Sequence, residues 1–118
     1  MIFHKIDFEL AQAYGLGNLG MILAEYGAKL TSERRINEAV AILEKFEEYY
    51  PISVYLNYMP NIYLEKGDHI SALTYAQRSL DLAGKYGLKD QISEANHLLS
   101  NIYEALNNST EALEYSKK

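Results

Sequence analysis

Four groups of residues in this 118-residue chain are of types that could do chemistry. Gly15-Leu16-Gly17-Asn18-Leu19-Gly20 spells G-x-G-x-x-G. That pattern cradles a pyrophosphate when a buried strand precedes it and a helix opens on it. Here the helical, polar stretch from Lys5 to Tyr14 comes first. No cofactor is therefore expected, and the glycines read as places where helices pack closely. His4, His69 and His97 have no partner at ligand spacing, and the chain has neither cysteine nor H-E-x-x-H, so no metal is expected. Spacing singles out no serine, histidine and acid as nucleophile, base and orienter, and the chain reads as a protein that is not an enzyme. Asn107-Asn108-Ser109-Thr110 contains glycosylation sequons, but a turn followed by a helix N-cap explains it better. The eleven tyrosines are the compositional outlier. Most are expected between helices, with Tyr14 and Tyr58 as candidates for a binding surface.

The elements that must position these residues repeat every 40 positions. Ile22, Ile62 and Ile102 lie one period apart, followed by Leu23, Tyr63 and Tyr103 and preceded three residues earlier by Leu19, Met59 and Leu99. Gly27, Gly67 and Asn107 follow in step, each tolerant of positive φ at a helix end, and Ser32, Ala72 and Ala112 come behind them. A period of this length marks a stacked array in which no unit buries its apolar face alone. It moves the expectation for function from catalysis towards binding.

Apolar residues recur with the helical period throughout. A first helix covers about 5 to 26, with Phe8, Ala11, Leu19, Ile22 and Leu23 on related faces, and ends at Gly27. A second starts near Thr31-Ser32 as N-cap, carries the stripe Ile36, Ala39, Val40, Leu43 and Phe46, and runs to about Tyr49, where Pro51 stops it. The third spans about 52 to 66. The fourth, about 69 to 86, is capped by Asp68 and turns Ile70, Leu73, Ala76, Leu80 and Ala83 to the core. The fifth covers about 90 to 106, and the sixth begins near Ser109-Thr110. The result is one all-α domain over 1–118 with repeat units at about 5–50, 52–89 and 90–118, the last truncated. The opening at Met1 runs straight into helical pattern and reads as a segment of a longer protein.

Composition narrows the function classes. Apolar residues make up 48% and charged ones 23%, a globular balance rather than a disordered one. The net charge of −5 argues against nucleic acid and anionic membranes as partners. No apolar run approaches the ~18 residues of a membrane-spanning helix, and no signal peptide opens the chain, which favours the cytoplasm over secretion without fixing the compartment.

Asn18-Leu19-Gly20-Met21-Ile22-Leu23, Asn61-Ile62-Tyr63-Leu64-Glu65-Lys66-Gly67-Asp68 and Asn101-Ile102-Tyr103 resemble tetratricopeptide repeats. That pattern is a helix with N-L-G-x-x-Y, a Gly-Asp-like turn, then a helix carrying alanines, here Ala72 and Ala76. The chain departs from it in three ways: its period exceeds the usual ~34 residues, Leu23 replaces a tyrosine, and Pro60 stands where a small residue is expected. The resemblance implies a right-handed superhelix of antiparallel hairpins. Lys85 to Asp90 and Glu111 to Lys118 are similar to repeats attached to bacterial signalling proteins such as adenylate/guanylate cyclases, sensor histidine kinases and transcriptional regulators. It thus implies a scaffold or sensory segment whose output domain lies elsewhere in the parent chain.

In such a superhelix the first helix of each pair lines a concave groove. The first unit would contribute Tyr14, Asn18, Met21 and Glu25; the second, Asn57, Tyr58, Asn61 and Glu65; the third, His97, Asn101 and Glu104. Asparagine amides can hold an extended peptide backbone, and an aromatic offers an anchor. No lysine or arginine occurs between residues 6 and 28, 46 and 65, or 90 and 116, so a carboxylate or phosphate ligand is disfavoured. The expected partner is a protein or peptide, neutral or basic. The alternative is a self-association module that dimerises the parent protein. Leu106 and Leu113, uncovered at the end of the array, suggest a weak homodimer through terminal repeats.

Overall fold

A computed structural model describes residues 4–118, the side chain of Ser109 apart. Those residues form six helices and no strand: α1 (Lys5–Glu25), α2 (Lys29–Lys45), α3 (Tyr49–Glu65), α4 (His69–Tyr86), α5 (Lys89–Ala105) and α6 (Ser109–Ser116). Met1 to Phe3, where the chain reads as entering from a longer protein, lie outside the described residues.

Every connection closes in the same way. One left-handed residue follows each of the first five helices: Gly27 (φ 84°), Glu47 (57°), Gly67 (78°), Gly87 (64°) and Asn107 (58°). The next N–H then donates back five residues, Ala28 to Leu23, Glu48 to Leu43, Asp68 to Tyr63, Leu88 to Ala83 and Asn108 to Tyr103. This six-to-one bond is a Schellman closure, and it satisfies a carbonyl that the helix end would leave unpaired. The left-handed residues stand 20 apart, so the backbone repeats at half the period of the side chains.

Glu47 hides one of these turns, because glutamate carries no turn signal. The second helix ends at Lys45 rather than near Tyr49. Pro51 does not stop it; Pro51 lies in the first turn of α3, where an N–H has no partner within the helix in any case. Because a side chain at φ 57° is strained and glycine is not, Glu47→Gly is expected to raise stability by about 0.5–1 kcal/mol. A higher urea midpoint with an unchanged slope would show it; a lower midpoint would refute it.

The N-caps follow from the same closures. Asp68 accepts the Ser71 N–H at 3.1 Å on Oδ1 and the Ser71 hydroxyl at 2.7 Å on Oδ2. These bonds, the hydroxyl's first, hold its carboxyl below the usual carboxylate range. Asn108 accepts the Glu111 N–H, so the Asn107-Asn108 pair makes a turn and a cap. Ser32 is not a cap. The turn at Gly27 starts α2 at Lys29, which leaves Ser32 buried, with its hydroxyl donating to the Gly20 carbonyl.

The chain divides into two compact units, Met1–Tyr55 and Leu56–Lys118. In the first, α1 and α2 run antiparallel, tied by Ser32 to Gly20 near the turn and by Lys45 to Glu9 at 3.1 Å at the far end. The stripe Ile36, Ala39, Val40 and Leu43 is buried as its spacing predicts. The α1 face is a correction. Its small residues Ala13, Gly17 and Gly20 turn inward, whereas Phe8 (69% exposed), Leu19 (44%) and Ile22 (51%) face water. The reason is steric: a Cβ on Gly20 would lie 2.6 Å from Ile36 Cγ1, so α2 packs here only because the side chain is absent.

In the second unit, Ala72 and Ala76 of α4 form a core with Leu98, Leu99 and Ile102 of α5. The face of α4 is turned slightly from expectation: Ala72 and Ser79 are buried with Ala76 and Ala83, and Ile70 is exposed. Tyr63 stacks on Tyr75 with centroids 5.3 Å apart, and Tyr103 on Tyr115 at 5.5 Å, so the 40-residue period recurs as a ring pair. α3 is continuous through Pro60, whose ring is buried. Leu106 and Leu113 are exposed.

Candidate functional site

The first unit holds a hollow between α1 and the start of α3. Tyr14, Asn18 and Met21, spaced four and three apart, line one side, and Tyr50, Pro51, Val54 and Tyr55 line the other. Its volume is about 310 Å³ and no charged side chain lines it. Gly17 sets the distance between the walls. A Cβ there would lie 2.2 Å from Tyr55 Cζ, so the ring of Tyr55 rests directly on the α1 backbone.

That seat aims the Tyr55 hydroxyl, which donates to Asn18 Oδ1 at 3.0 Å and approaches the Tyr14 carbonyl at 3.5 Å. Burial, then the neighbouring Tyr14, pushes the Tyr55 phenol upward, and burial followed by Glu48 does the same for Tyr14. Both phenols therefore stay protonated donors well above neutral pH. Asn18 is exposed and lines the hollow, and the Tyr55 bond engages its oxygen rather than its amide N–H groups. The arrangement can take one apolar side chain and bond one backbone carbonyl beside it.

In the second unit the sequence-derived residues separate. Asn57 is only 6% exposed, and its Nδ2 donates to Gln91 Oε1 at 2.9 Å and to the Gln91 carbonyl at 3.4 Å. It joins α3 to α5 there, with its Oδ1 buried and unmatched by a hydrogen bond. Tyr58 is half-buried, whereas Asn61 and Glu65 are exposed on α3. His97, Asn101 and Glu104 are exposed on α5, with Asn101 Nδ2 3.4 Å from His97 Nε2. Glu25 of the first unit is exposed beyond the hollow.

Spacing alone missed Tyr50, Pro51 and Tyr55. Tyr50 and Pro51 sit in the stretch assigned to a helix stop, and Tyr55 in the third helix but off its expected groove stripe; once Pro51 is placed in a first helical turn, Tyr50 and Val54 fall four apart and Pro51 and Tyr55 likewise. The three glycines of G-x-G-x-x-G also part company. Gly17 seats Tyr55, Gly20 seats Ile36, and a Cβ on Gly15 would meet nothing within 4 Å. All lie inside α1, where no helix N-terminus is available to bind phosphate.

Among the described residues no group of three or more His, Cys, Asp or Glu side chains could hold a metal. No helix among them is long and apolar enough to cross a membrane. No protein-family model and no curated protein matches the chain.

Proposed function

We propose that the chain is a tetratricopeptide-type interaction module, the scaffold or sensory segment of a larger bacterial signalling protein, and not itself an enzyme. In this reading its hairpins stack as a right-handed superhelix and its first helices present the ligand surface. The observation that carries the binding role is the uncharged hollow at Tyr14, Asn18, Met21, Val54 and Tyr55. It combines an apolar floor, a fixed phenol and an exposed amide, the features that anchor a peptide side chain and orient the backbone next to it. Identical turn closures and the stacked tyrosines at 63/75 and 103/115 support the repeat reading.

The ligand is an extended peptide or partner helix, neutral or basic, because cations are absent from the hollow while Glu48 stands near Tyr14. Asn61 and Asn101, both exposed, supply further amides in the second unit. A set of labelled peptides matched in length, with neutral, basic or acidic flanks around one aromatic or leucine anchor, tests this by fluorescence anisotropy. Neutral and basic members should bind, and Tyr14→Ala or Asn18→Ala should each weaken them about 2- to 10-fold, the range of one net hydrogen bond or contact. Preference for the acidic members would overturn the electrostatic reading, and indifference to both substitutions would overturn the site.

A further inference from the structure

We propose that the outer face of α1 is a homodimer surface on which two copies of this chain pair antiparallel, crossing at Gly15. The face consists of Phe8, Ala11, Gly15, Leu19, Ile22 and Tyr26, at spacings of 3, 4, 4, 3 and 4, and all six are exposed. No charged residue occurs anywhere from Leu10 to Ala24, an unusual run for a helix side turned to water.

Repeat equivalence shows what kind of neighbour this face takes. Forty and eighty residues on, Leu19 and Ile22 become Met59 and Ile62, at 0% and 3% exposure, and Leu99 and Ile102, both at 0%. In the second unit, Leu99 and Ile102 are covered by Ala72 and Ala76 of α4. The first unit keeps the same apolar positions on α1 and places no helix on them. A helix bearing small residues is the complement.

α1 itself is such a helix. Beside Gly15 its stripe is small on one side, at Ala11, and large on the other, at Leu19, with the large Phe8 and Ile22 further out on either side. Antiparallel pairing about Gly15 sets Ala11 opposite Leu19, Phe8 opposite Ile22, and Gly15 opposite Gly15 of the second copy. Parallel pairing would set Leu19 on Leu19 and leave a gap at Ala11. Gly15 is the one member of the glycine motif with no packing reason inside the chain, since a Cβ there meets nothing within 4 Å. A helix-interior glycine is unfavourable relative to alanine, and here it gives the backbones room to approach at the crossing. Specific interfaces start at about 1,200 Å² buried in total, and one stripe of six residues per copy, two of them Gly15 and Ala11, lies at that lower end at most, so the dimer is concentration-dependent.

This surface shares no residue with the hollow at Tyr14 and Tyr55, although Ile22 borders Asn18 on α1, and the proposal does not rest on the peptide-binding reading. The chain has no cysteine, so Gly15→Cys introduces a single thiol at the two-fold axis. Sedimentation equilibrium of the whole chain should show monomer and dimer in exchange, and Ile22→Glu should weaken dimerisation at least 10-fold with its circular dichroism unchanged. Under mild oxidation Gly15→Cys should form a disulfide-linked dimer much faster than Thr74→Cys, an exposed control on α4. A monomer up to the highest soluble concentration would overturn the proposal, as would a dimer indifferent to Ile22→Glu or equal crosslinking of the two cysteine variants. Phe8→Glu, on the same face but away from the hollow, should weaken the dimer likewise while its peptide affinity stays at the parent value, so that loss of dimer and loss of the hollow are told apart.

Discussion

Gly17→Ala is expected to destabilise the first unit by about 2 kcal/mol, although alanine is the better helix former. A methyl there would stand 2.2 Å from Tyr55 Cζ and 2.6 Å from both Cε atoms, which no small adjustment relieves. Either the ring leaves its seat or α1 and α3 separate, and such overpacking costs about 1–3 kcal/mol, against a propensity gain of at most ~1. Displacing the ring also breaks its bond to Asn18 and empties the wall of the hollow. Gly15→Ala, five ångströms of helix rise away or less, provides the contrast: nothing meets its methyl, and it should raise monomer stability by up to ~1 kcal/mol. Thermal melts at low concentration measure both. A double-mutant cycle with Tyr55→Leu tests the cause, because removing the ring should recover part of the Gly17→Ala loss. If Gly17→Ala melts with the parent protein, the seat described for Tyr55 is wrong.

Leu99→Ala should lower stability by about 3 kcal/mol, within the 2–5 typical of a fully buried leucine. Leu99 is 0% exposed and sits among Ala72, Ala76, Leu98 and Ile102, where neighbouring alanines have no spare length with which to refill the space. Leu19→Ala, at the equivalent repeat position, removes the same atoms from a side chain 44% exposed and should change monomer stability by less than ~1 kcal/mol. Urea unfolding of the two variants compares them directly. Equal losses would mean that α1 is covered in the monomer after all.

That contrast shows how much of the molecule was legible in its residues. Helix identity and count followed from periodicity, and four of the five turns from Gly27, Gly67, Gly87 and Asn107, residue types that enter the left-handed region readily. The fifth was invisible because Glu47 is held there by its neighbours' hydrogen bonds, against its own preference. Missing it shifted Pro51 from inside a helix to outside one, and with it went Tyr50 and Pro51 from the lining of the hollow. Burial was legible only where a neighbour exists: the repeat makes Leu19 and Leu99 equivalent as letters, but what covers each is a property of packing. Asn57 shows the same limit, since spacing put it on a face while Gln91, 34 residues away, decided that the face was closed.

The regular placement of the left-handed residues, 20 apart from Gly27 to Asn107, also makes the chain editable in a particular way. Each boundary has one backbone state, whichever residue occupies it, so any two boundaries are interchangeable as joints. A cut after Gly27 rejoined before Asp68 would remove 40 residues and still present a left-handed glycine followed by a helix start. A cut of 20 would rejoin just as smoothly in the backbone, but it would exchange the first and second helices of each 40-residue repeat from that point onward. The backbone thus counts in single helices while the side chains count in pairs, and gain or loss of material in even multiples is what this architecture can absorb.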